Sequence, residues 1–103
     1  MMGMSKKDFC ESLIGNIYKI LPIYEGEDIN KAVCATPEVA YSNYLNQLVT
    51  LEAEVEGAYE YYQDDKIFRM LFIIKGMKNL KVGEHAKVRT CVFDLIKICK
   101  SVV

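Results

Sequence analysis

Apolar residues recur along the chain at spacings of three and four, and four separate stretches carry the pattern. In the first, Phe9, Cys10, Leu13, Ile14, Ile17, Tyr18, Ile20 and Leu21 fall on one half of a helical wheel at 100° per residue. Ser5 stands ahead of them as a hydroxyl cap, Asp8 suits the positive end of the helix dipole, and Pro22 predicts the end. The second stretch opens on Thr36-Pro37-Glu38, which supplies a cap, a first-turn proline and an acid in the first turn. Beyond it Tyr41, Tyr44, Leu45, Leu48, Leu51, Val55, Ala58, Tyr59 and Tyr62 share one face, and Asn46, Thr50, Glu54, Glu56 and Glu60 take the other.

The third stretch, DDKIFRMLFIIKGMKNL over 64–80, raises a different question, because it has two apolar faces. Ile67, Met70, Leu71, Ile73, Ile74 and Met77 occupy one arc, with Phe68 and Phe72 roughly opposite and one turn apart. Two readings fit. Either the helix is central and packed on several sides, or one face serves the core and Phe68 with Phe72 meets another chain; aromatic residues are enriched at the centres of interfaces. In the fourth stretch His85, Val88, Val92, Leu95, Cys99 and Val102 repeat, and Gly83 separates it from the third.

A single helix running from 37 to 80 would be about 66 Å long at 1.5 Å per residue, out of scale for a compact domain of 103 residues. A break is therefore expected at Asp64 or Asp65. No segment alternates at period two to pair with Met70 to Ile74 as a strand. The pattern predicts an all-α protein, an antiparallel four-helix bundle with helices roughly at 5–21, 37–63, 66–80 and 84–102, in a single domain over 1–103. Residues 22–35 form a connector, with a short helical turn after Asp28. In size and helical pattern the chain resembles small four-helix proteins such as the bacteriocin immunity proteins, a likeness of fold that carries no residue roles across.

Composition agrees with a folded domain: 51% apolar, 26% charged, six glycines and two prolines. The longest apolar run, Met70 to Ile74, is far short of the roughly 20 residues a membrane span needs. The N-terminal MMGMSKKDF lacks the apolar core of a secretory signal, so a cytoplasmic protein without membrane contact is expected. Cys10, Cys34, Cys91 and Cys99 show no C-x-x-C pairing and read as small core hydrophobes, with Cys34 the one candidate for a redox role.

Charge changes the picture more. Residues 1–65 hold four lysines against twelve acids, a balance of −8, and residues 66–103 hold nine cations against Glu84 and Asp94, a balance of +7. The acidic second helix can pair with the basic third and fourth inside the molecule. Alternatively the basic half forms a surface: Arg89, Phe93, Lys97 and Lys100 share the outer face of the fourth helix, an aromatic among cations suited to stacking and phosphate contact.

Catalytic chemistry finds little footing. His85 is the only histidine, and no hydrolase, zinc or phosphate-loop motif surrounds it. Its place in the apolar stripe predicts a buried structural role, with Glu52, at the edge of the second helix's apolar face, as its partner. Glu52, Glu56 and Glu60 at helical spacing lack the Glu-x-x-His pairs of a di-iron bundle. No catalytic, metal or cofactor residues are assigned. The expectation is a non-enzymatic helical protein acting through protein contact, homodimerisation included. Nucleic-acid binding by the basic half is one alternative, and a small-molecule pocket lined by the tyrosines is another.

Overall fold

A computed structural model describes residues 5–25 and 36–102, with Pro37 described by its backbone alone. Cys34 and the turn expected after Asp28 lie outside the described residues. Every regular element among the described residues is a helix: α1 (Lys6–Tyr18), α2 (Ile20–Tyr24), α3 (Pro37–Tyr62), α4 (Asp65–Met77) and α5 (His85–Ser101).

Local chemistry sets most of the boundaries. The Ser5 hydroxyl accepts from Asp8 N at 3.1 Å and so starts α1. Pro22 was expected to end that helix, but the chain breaks one turn earlier, at Lys19, and is helical again to Tyr24. The cause is the proline itself: it has no N–H for the carbonyl of Tyr18, four residues back, and its ring crowds that oxygen. In the first turn of α2 the missing donor costs nothing. The buried arc continues in phase through Ile20 and Tyr24, and Tyr18, at the edge of the predicted stripe, is 46% exposed.

The Thr36 hydroxyl accepts from Val39 N at 3.3 Å at the head of α3. That helix stops at Gln63, whose φ of 54° is left-handed and turns the chain back. The expected break therefore falls between Gln63 and Asp64, and Asp64 caps α4 by accepting from Lys66 N at 2.7 Å. At its far end α4 closes at Met77, a turn short of the predicted 80, through tighter bonds from Asn79 N to Gly76 O and Leu80 N to Met77 O, each 3.1 Å. Gly83 supplies the φ of 94° that the turn into α5 requires.

Around the bundle α3 packs on α4, α4 on α5, and α5 on the bent first rod, which closes the ring through α2 on α3. The 26 residues of α3 span about 39 Å, matching the 40 Å long axis of the molecule. Tyr44, Leu48, Leu51, Val55, Ile67, Met70, Ile74 and Leu95 are among the wholly buried side chains between the rods. Each contributes roughly 1.5–3 kcal/mol by leaving water. Among the described residues no helix is long and apolar enough to cross a membrane.

Candidate interaction surface

In α4 the arc of Ile67, Met70, Leu71, Ile74 and Met77 is buried. A helix touching two neighbours needs an apolar arc of this width, and α3 and α5 use it up. Phe68 and Phe72 fall outside it, 49% and 73% exposed. The monomer's own core does not absorb them. Phe68 leans on the ring of Tyr59 in α3, with centroids 5.3 Å apart, and Phe72 stands free at the crest. Arg69 and Ile73 join the two phenylalanines around a shallow depression of about 430 Å³. The same Arg69 and Ile73 border a groove of about 360 Å³ between α4 and α5, completed by Asp94, Lys97, Ile98 and Ser101. Arg69 was not singled out from the sequence, and Ile73, placed there in the core-facing arc, is only partly buried; their position one residue after each phenylalanine was the available signal for this surface.

The ion pairs across the bundle use part of the charge split. Glu52 on α3 receives Lys78 at 2.6 Å and Lys75 at 3.9 Å from α4. Lys6 reaches Asp64 at 2.7 Å, and Arg89 on α5 lies 3.8 Å from Glu25 beyond α2. The Lys6 ammonium and the Lys66 N–H hold the Asp64 carboxyl below the usual carboxylate range. Glu54, Glu56, Glu60, Arg69, Lys97 and Lys100 are exposed and form no ion pair among the described residues.

The expected Glu52–His85 pair is not formed. Glu52 is taken by the two lysines, which lie nearer along the antiparallel α3–α4 contact. His85 is exposed at the first position of α5, its ring 5.0 Å from Tyr24 and edge-on to it. A residue at a helix end leaves the buried stripe even when it continues its spacing. Phe93 is 45% exposed, on the α5 flank that also bears Arg89 and Lys100 and turns towards the first rod. Lys97 lies further round α5, towards α4, so the four basic-face candidates straddle the outside of the helix rather than converge.

The tyrosines serve a purpose that the spacing did not indicate. Tyr44, wholly buried, donates to Met77 O at 2.7 Å, and Tyr41 donates to Leu80 O at 2.7 Å. The Tyr24 hydroxyl donates to Lys81 O and accepts from Glu84 N at 2.9 Å. These hydroxyls add a second bond to Met77 O and Lys81 O, which also accept from Leu80 N and Glu84 N respectively, and reach Leu80 O just past the end of α4. Burial pushes the Tyr44 hydroxyl far above its ordinary range, so it remains a donor.

Cys10 and Cys99 are buried free thiols, and Cys91 is half-buried. The Cys99 thiol lies 3.5 Å from Met70 Sδ, and its hydrogen bond with Cys10, together with burial, pushes it up. Among the described residues no group of three or more His, Cys, Asp or Glu side chains is placed to hold a metal ion. No known protein family, curated protein or solved structure matches the chain.

Proposed function

We propose that the chain acts by binding protein rather than by catalysis, and first of all by binding a second copy of itself, through the outer face of α4. The observation that carries this reading is the crest formed by Phe72 and Phe68, two large rings left in water by a helix whose buried arc is already complete. Fully burying a phenylalanine yields roughly 1.5–3 kcal/mol. Two copies meeting there would remove four rings from water, and Arg69 beside them is a residue type favoured in interfaces.

The test is sedimentation velocity over a range of concentrations, with thermal melts. Wild type should dimerise, and Phe68→Ser combined with Phe72→Ser should give a monomer that melts close to wild type, since neither ring belongs to the monomer core. A wild type that stays monomeric at all concentrations refutes the reading, as does a serine pair that still dimerises. The exposure of Phe93 favours a second reading, in which α5 stacks nucleic-acid bases among Arg89, Lys97 and Lys100. It is the weaker one, because Glu25 already occupies Arg89.

A further inference from the structure

The aromatic crest of α4 divides two flanks of opposite charge that lie at the same height along the bundle. On the α3 side, Tyr59 packs against Phe68 and Glu52 reaches Lys75 and Lys78. The antiparallel register therefore sets the intervening Glu56 beside the 68–72 segment and Glu60 next to Phe68. At 100° per residue both acids lie outward of Tyr59, and both are exposed. On the α5 side, Arg69 and Lys97 border one groove and are likewise exposed. None of these four has an ion-pair partner among the described residues.

From this juxtaposition we propose that the occupant of the α4 face is a second copy in which the two α4 helices run parallel, related by a two-fold axis along them. The proposal rests on the self-association reading above and adds its geometry. A face-to-face pair built on one helix has two simple symmetric choices. An axis across α4 would lay each flank on its own kind, Glu56 and Glu60 against their copies and Arg69 and Lys97 against theirs. An axis along α4 exchanges the flanks. Glu56 and Glu60 of each copy then face Arg69 and Lys97 of the other, twice over, with Phe72 near its own symmetry mate at the centre. Like charges brought together at an interface oppose binding strongly, whereas complementary ones fix orientation. Asp94, one turn from Lys97 in the same groove, reduces the positive charge of that flank without reversing it.

Two double variants test the geometry by sedimentation velocity: Glu56→Lys with Glu60→Lys, and Arg69→Glu with Lys97→Glu. All four side chains are exposed, so both variants should melt near wild type. Each alone should weaken self-association by about tenfold or more. Mixed in equal amounts, they should form a heterodimer of nearly wild-type affinity, because each reversed flank meets the other's reversed flank. Raising salt should weaken the wild-type dimer, a measurement that needs no variant. A wild-type dimer that either double variant leaves intact, or that salt strengthens, overturns the parallel arrangement while self-association stands. Failure of the mixture to recover overturns it too. A wild type that never dimerises defeats both proposals.

Discussion

Replacing Tyr44 by phenylalanine removes one oxygen from a side chain with no exposed surface. The ring can stay where it is, edge-on to Tyr24 at 4.7 Å and 5.8 Å from Tyr41, so packing is nearly conserved. What is lost is the 2.7 Å bond to Met77 O. That carbonyl belongs to the last residue of α4, and water does not reach the hydroxyl bonded to it. Met77 O keeps the Leu80 N–H at 3.1 Å, so the loss is one buried hydrogen bond, about 0.5–1.5 kcal/mol. For a domain near 100 residues each kcal/mol moves the melting temperature by roughly 4–8 °C. Tyr44→Phe should therefore melt about 5 °C lower, followed by circular dichroism at neutral pH. The same group gives a pH signature. Its folded-state pKa is raised above the ordinary 10.0, so its contribution is complete below that value and is lost as pH rises beyond it. Wild type should lose stability above about pH 10 more steeply than the phenylalanine variant. A variant that melts within about 2 °C of wild type, against the 4–8 °C per kcal/mol scale, would show that the Met77 carbonyl does not depend on this hydroxyl.

The charged pairs and the glycines give further outcomes. Double-mutant cycles should find coupling between Glu52 and Lys78 of up to about 1 kcal/mol, the range of partly exposed pairs, and none between Glu52 and His85; chemical denaturation of the four variants in each cycle measures both. Gly57 lies within α3 with open space where a Cβ would sit, so Gly57→Ala should stabilise by about 0.5–1 kcal/mol. Gly83→Ala should instead destabilise by roughly 1–2 kcal/mol, because its φ of 94° strains any side chain.

Helix positions were legible because the signals that set them are local. Ser5, Thr36 and Asp64 carry cap oxygens a few atoms from the amides they bind, and the period of three and four marks each buried arc. Pro22 was legible as a breaker and misread in place, since a proline disturbs the carbonyl one turn before it. Partner choice was not legible in the same way. Glu52 could have met any cation on a neighbouring rod, and only the α3–α4 register decides for Lys78 over His85. For α4 the sequence revealed two apolar faces; which one the monomer buries depends on the width of the arc that α3 and α5 cover. The tyrosine hydroxyls left no trace in any spacing, because their acceptors are backbone oxygens that every residue possesses.

The hydroxyls of Tyr24, Tyr41 and Tyr44 also bear on how the molecule comes apart. Residues 78–84 look like an ordinary surface connection, exposed over much of their length, the sort of segment that frays first and accepts inserted sequence. Yet three carbonyls there and in the last residue of α4 are held from α2 and α3, rods that precede them by more than thirty residues. Releasing the turn means withdrawing a buried hydroxyl from each of two other helices. Opening of this segment is thereby tied to opening of the bundle, and amides such as Glu84 N, bonded to the Tyr24 hydroxyl, should exchange with the cooperative core rather than as part of a flexible loop.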